Sequence, residues 1–341
     1  MKSELDIRSQ EMLPAVEAEM RAVLKANNGT PDLFYGMMHY HMGWADANLQ
    51  PAHVHAGKRI RPLLCLLVCQ AAGGDWQQAV PAAAAIEILH NFTLIHDDIE
   101  DVSPTRRGRD TVWQLWGVPQ AINSGDAMFA LAHLALVRLL ERGVEAPIVV
   151  EALRRFDETC LRLTQGQYAD MDFEKRDTVS VADYIEMITG KTAVLVSYSA
   201  AVGALIAGAD SRTINHYAQY GLELGLAFQV IDDILGIWGD EKRTGKSAAT
   251  DIITRKKTMP VLDGLSRSTA LQELYSDDTP NDDFVPRVIA ILDEVGSHEF
   301  AASKATTHSE NALQHLHAAN PVGEAAQALN QLTATLLHRD F

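Results

Sequence analysis

Apolar residues recur three and four positions apart along almost the whole chain, and strand-like alternation is scarce. That spacing stacks apolar side chains on one face of a 3.6-residue helix, which rules out a sheet as the main framework. "RPLLCLLVCQAAGG" reads as a helix closed by Gly73-Gly74, and "DWQQAVPAAAAIEILHNFTLIHDDIEDVSP" as one long helix stopping before Pro104. "INSGDAMFALAHLALVRLLERG", "APIVVEALRRFDETCLRLTQGQYADMD", "VADYIEMITGKTAVLVSYSAAVGALIAG" and "INHYAQYGLELGLAFQVIDDILGIWGD" repeat the pattern. Breaks fall at Gly- and Pro-containing loops, with no linker composition. The expectation is an all-α chain: one domain over residues 1–341, a large helical bundle able to hold a ligand, with residues 1–50 as peripheral helices.

The 341 residues are 47% apolar and 22% charged, a globular composition. A net charge of −16 argues against nucleic acid as a partner, because phosphate backbones need a basic footprint. The segment "MKSELDIRSQEMLPAVEAEM" carries acids throughout, so no signal peptide is expected. The apolar runs "AVPAAAAIEIL" and "MFALAHLALV" are too short or too interrupted for a membrane span. Cys65, Cys69 and Cys160 read as core thiols, and the expected location is the cytoplasm.

Two acidic clusters stand against this background, each following a long apolar run. In "LIHDDIED", Asp97 and Asp101 lie four apart and share a helix face, with Asp98 turned about 100° away. Like charges at that spacing destabilise a helix by a few tenths of a kcal/mol. A hard cation reverses the sign: Mg²⁺ takes one or two carboxylates and completes its shell with water and phosphate oxygens. The second cluster, Asp232-Asp233 in "QVIDDILGIWGD", repeats the arrangement. A solvated helix end explains either cluster alone, but explains the pair poorly.

What binds beside such metal-loaded acids is itself an anion, and basic residues flank both clusters. "GKRIRP" supplies Lys58, Arg59 and Arg61; "SPTRRGR" supplies Arg106, Arg107 and Arg109; "GKT" offers Lys191; "TGKSAATDIITRKKT" carries Lys246, Lys256 and Lys257. Arg forks and Lys point charges suit phosphate oxygens. The Gly-Lys-Ser and Gly-Lys-Thr triplets lack the upstream glycine and preceding strand of a nucleotide P-loop, so a diphosphate is the economical ligand. His39, His41, His53 and His55 have no credible metal-ligand spacing.

"GKRIRP", "EILHNFTLIHDDIED", "SPTRRG", "GQYAD", "ITGKTA", "FQVIDDILG" and "GKSAATD…KKT", in that order and spacing, resemble the trans-isoprenyl diphosphate (polyprenyl) synthases from about residue 50 onward. The segment "FYGMMHYHMGW" is similar to bacterial short-chain members. The resemblance implies an all-α homodimer with a central cavity, joining isopentenyl diphosphate to an allylic diphosphate. It implies Asp97 and Asp101 as ligands of two Mg²⁺ and Asp232 of a third, with Asp98 and Asp233 supporting. It places Arg106, Lys191, Lys246 and Lys256 on the allylic diphosphate, and Lys58, Arg61, His90 and Arg107 on isopentenyl diphosphate. Thr192 and Gln229 match positions beside the developing cation, where their oxygen dipoles stabilise it. No protein nucleophile is required, in keeping with the absence of a Ser/His/Asp or Cys/His arrangement.

Three departures from the family pattern stand out. Gly236 replaces a third aspartate, whose place falls to water or to Asp240; Asp110 stands where proline is common; and "LLHRDF" lacks a basic tail. Product length points to Thr93 and Phe92, about 6 and 7.5 Å down the helix from Asp97. One aromatic with a small neighbour resembles short-chain enzymes making C20 geranylgeranyl diphosphate, with C15 farnesyl diphosphate as the alternative. A class I terpene cyclase is a rival reading, and a non-catalytic subunit another. The cyclase has no use for Lys58, Arg61 and His90.

Overall fold

The computed structural model describes residues 2–25, 32–54, 57–176, 178–239, 250–276 and 283–337. The chain is all-α. Its described residues gather into two compact units: residues 1–155, 199–214 and 321–329, and residues 156–198, 215–320 and 330–341. The crossings fall at Arg155–Phe156, Tyr198–Ser199, Ile214–Asn215 and Leu329–Asn330, each inside a helix, and at Asn320–Pro321, in a turn between two helices.

The first unit is built on α1 (Glu4–Val23), α2 (Leu33–His41), α3 (Ile60–Ala71), α4 (Val80–Glu100), α5 (Val112–Trp116) and α6 (Val118–Val137). Ser3 and Asp6 form a capping box that starts α1. In α4, Pro81 occupies the first turn, where its missing N–H costs nothing. The buried Ala82–Ala85 run carries no bulk, and α4 packs on α6, α3 and α1. Ile86, Ile88 and Leu89 are wholly buried, each stabilising the fold by about 1.5–3 kcal/mol.

The second unit holds most of α7 (Ala146–Lys175), then α8 (Val181–Ile188), the first turns of α9 (Val194–Ile206) and most of α10 (Ser211–Trp238). Beyond these lie α11 (Thr250–Ile253), α12 (Met259–Arg267), α13 (Thr269–Ser276), α14 (Phe284–Glu294) and α15 (Ser297–Ala318), with α16 (Gly323–Leu337) closing the described chain. Around α12, the side chains of Ile237, Ile252, Val261, Leu271, Val288 and Leu292 form a buried cluster.

Four local features differ from the helical reading. Trp76–Ala79 form a 3₁₀ turn ahead of α4, because the Asp75 side chain accepts from Gln77 N. The stretch read as one helix from Val181 is interrupted by a π-helical turn at Thr189–Ala193. Helix α10 continues five residues past Asp233, so that acidic pair lies within a helix rather than at its end. Lastly, β1 (Thr105–Arg106) and β2 (Arg109–Asp110) pair as a small antiparallel hairpin. Arg107 and Gly108 hold φ of +53° and +72°, the two positive values a type I′ hairpin turn requires.

By length and composition Val181–Ile206 could cross a membrane, but 72% of its most apolar window is buried in the fold. It is a core helix. Cys65, Cys69 and Cys160 are buried and form no disulfide.

Candidate active site

In the first unit the chain ends α4 on three acids. Asp98 turns inward, 2% exposed, and accepts from Arg106 Nε at 2.7 Å. Burial pushes its carboxyl up, opposed by Arg106. Asp101, the C-cap, is exposed, and Asp97 is half-buried one turn earlier. Carboxylates there face the negative end of the helix dipole as well as each other, so the arrangement favours a bound cation.

The hairpin after α4 carries Arg106 and Arg107. A Cβ on Gly57 would lie 3.3 Å from an Arg107 guanidinium nitrogen, so the "GKRIRP" loop passes directly beside Arg107. In that loop Lys58 is exposed, and Arg59 adopts φ +47° and pairs with Glu17. Arg61 Nη1 lies 3.4 Å from His90 Nε2. Burial first, and then Arg61 and Arg107, hold His90 well below the usual histidine range. Arg61, His90 and Arg107 thus form one group in a single unit, with the Gly57 backbone beside Arg107.

Sequence reasoning missed Glu87 beneath this group. It is 3% exposed, and Asn91 Nδ2 donates to its Oε1 at 3.3 Å. Burial raises its carboxyl while Arg59, Arg61 and Arg107 pull it down. Its signal was a lone charge inside "AAAAIEIL". Phe92 stacks on His96 at 4.7 Å and on Phe129 of α6 at 5.2 Å, whereas the Thr93 hydroxyl donates to His90 O at 2.8 Å.

In the second unit the π turn carries Lys191 and Thr192. Its cause is a backbone-to-backbone approach: a Cβ on Gly166 of α7 would lie 2.2 Å from Lys191 N, and one on Gly190 2.8 Å from Arg162 O. Wide π turns are frequent at functional positions. Lys191 Nζ donates to Asp170 of "GQYAD". Thr192 Oγ1 donates to Gln229 Oε1 at 3.1 Å, and Gln229 Nε2 donates to Asp233 Oδ1 at 3.1 Å. Asp233 Oδ2 accepts from Tyr184 Oη at 2.5 Å and from Met259 N at 3.3 Å. Burial raises Asp233 to about 7 despite these donors. Both its oxygens are engaged, which suits a supporting part rather than direct metal contact. Tyr184 was invisible in the sequence because its partner is forty-nine residues away.

Asp232 is half-buried beside this chain. A Cβ on Gly236 would lie 2.3 Å from Asp251 Oδ2 of α11. The space of the missing third aspartate is therefore occupied by Asp251, a residue sequence reasoning did not consider. Asp240 and Lys246 lie outside the described residues. Lys256 is exposed, and Lys257 Nζ donates to Phe173 O at 2.8 Å.

Among the described residues no three His, Cys, Asp or Glu side chains form a ready metal cage. Mg²⁺ does not require one, and Asp97, Asp101 and Asp232 present the hard oxygens it prefers. The residues fit the ion.

Residues 44–292 match the family model described as polyprenyl synthetase. A geranylgeranyl diphosphate synthase of Mycobacterium tuberculosis is 46% identical over 239 residues, 70% of this chain and 67% of that one. A (2E,6E)-farnesyl diphosphate synthase of Mycobacterium bovis is 40% identical over 277 residues, 79% of this chain and 76% of that one. Among solved structures, a polyprenyl synthetase from Streptomyces coelicolor A3(2) superimposes with a TM-score of 0.86 at 34% identity, covering 98% of both chains. With its helical fold and motif order, the chain belongs to the polyprenyl synthetase family of trans-prenyltransferases.

Proposed function

We propose that this chain condenses isopentenyl diphosphate with allylic diphosphates, giving a short all-trans prenyl diphosphate, with C20 geranylgeranyl diphosphate as the main product. The observation that carries the reading is the group of Arg61, His90 and Arg107, with Lys58 next to it in sequence. It supports a place for a second diphosphate, and a cyclase acting on one substrate has no need of it.

Asp97 and Asp101 would hold two Mg²⁺ and Asp232 a third, and the ions would supply positive charge to compensate a departing diphosphate. Arg106, Lys191, Lys246 and Lys256 bind the allylic diphosphate and stabilise charge developing on its leaving oxygens. Asp98 fixes Arg106, and Asp170 orients Lys191. The Thr192–Gln229–Asp233–Tyr184 chain of hydrogen bonds holds two neutral oxygen dipoles in place, where they stabilise the allylic cation. The isopentenyl double bond attacks that cation, and a proton leaves to the released diphosphate.

Incubating the purified chain with Mg²⁺, isopentenyl diphosphate and each of the C5, C10 and C15 allylic diphosphates tests this, with mass spectrometry of the products. Condensation to C20 is expected; no condensation, or a hydrocarbon from an allylic diphosphate alone, would overturn it. Phe92, braced by Phe129, serves as the floor under the growing chain. In the same assay Phe92→Ala shifts product to C25 or longer, whereas an unchanged distribution rules the floor out.

A homodimer is supported by the outer face of α6, where Ile122, Leu134 and Val137 are 41%, 58% and 43% exposed along one stripe. Light scattering should give twice the chain mass, and Leu134→Glu the mass of one chain. A monomeric wild type would refute the dimer.

A further inference from the structure

The motif "FYGMMHYHMGW" finds no task in the chemistry above, yet it holds the arginine-bearing hairpin. Arg109 Nη1 donates to Tyr40 O at 3.1 Å and Nη2 to Ala45 O at 2.9 Å. Its guanidinium lies 3.9 Å from the Tyr40 ring centroid. The Tyr40 hydroxyl in turn donates to Asp110 O at 2.8 Å. One arginine and one tyrosine thereby bolt β2 to the end of α2 by a forked hydrogen bond, a cation–π contact and a main-chain acceptor. Arg106 and Arg109 are directly paired across the hairpin, a like-charge arrangement that opposes it unless each is compensated. Asp98 compensates Arg106, and the Tyr40 ring with two carbonyls compensates Arg109. Arg107 sits in the turn between these anchors, in a left-handed conformation few side chains adopt freely. Behind the hairpin lies a cavity of only about 30 Å³, lined in part by His41, Asp98 and Arg109.

We infer that Arg109, seated on Tyr40, is a positioning residue for Arg107: the end of α2 sets where the Arg107 guanidinium stands relative to Lys58, Arg61 and His90. Neither anchor is among the residues proposed to bind a diphosphate. The inference rests on the reading that Arg107 binds isopentenyl diphosphate.

The test measures KM for isopentenyl diphosphate, kcat, product length and melting temperature in wild type, Arg109→Gln, Arg109→Lys, Tyr40→Phe and Arg107→Ala. Arg109→Gln should raise that KM about tenfold with kcat within threefold. Arg109→Lys keeps the charge but loses the fork and the planar stack, so it should behave like Gln. Tyr40→Phe, which keeps the stack and folds normally, should raise KM two- to threefold. Wild-type KM in Arg109→Lys, or a lowered melting temperature with wild-type KM throughout, would make the contact merely structural and overturn the inference. Should Arg107→Ala itself keep wild-type KM, the anion site is misassigned, and the inference falls with it for that separate reason.

Discussion

Asp97→Asn should cut kcat by at least about 10³-fold. The carboxylate stands in the last turn of α4, one turn from Asp101, at the negative end of the helix dipole. The change removes a hard oxygen from the side that would hold Mg²⁺, and the leaving diphosphate loses its compensation. Asp101→Asn and Asp232→Asn should follow suit, with Mg²⁺ affinity, read by calorimetry with inorganic diphosphate present, weakened in parallel. Asp98→Asn differs: it frees Arg106 and destabilises the fold, because that carboxylate is spent on the 2.7 Å contact with Arg106. Near-normal kcat in Asp97→Asn would remove the acid pair from the chemistry.

A second large effect is on acid stability. His41 is held at about 3, against an ordinary 6.5, by burial first and then by Arg106, Arg107 and Arg109. The folded state thus binds this proton more weakly than the unfolded chain. Stability is whole above pH 6.5 and falls as the pH drops toward 3, by on the order of 4 kcal/mol over the window. Chemical denaturation at pH 7, 5.5 and 4 checks this against His41→Leu, which should lose much less over the same interval because nothing at that position is left to protonate. Equal losses in both proteins would place the acid sensitivity elsewhere.

Helices α3, α4, α6, α7 and α10 were legible because burial of one helical face imposes a period that the sequence carries openly. The acidic pairs and the arginines were legible for a similar reason: clustered charge beside apolar runs is costly unless something compensates it. The π turn was not. It depends on Gly166 and Gly190 letting two backbones meet, and they are twenty-four residues apart. The hairpin could have been suspected from Arg107-Gly108, but two residues per strand leave no alternation to read.

Local pattern, then, was enough for the helical class, the charged motifs and the family they resemble, since each depends on neighbours along the chain. Only the folded chain gives the physical reason for the division the resemblance implies: Asp98 and Asp233 turn inward onto Arg106 and Tyr184, whereas Asp97, Asp101 and Asp232 are half-buried or exposed. Only it could put Asp251 beside Gly236 and seat Arg109 on Tyr40. Those roles depend on which buried oxygen meets which distant donor, and long-range packing settles that after the local pattern is complete.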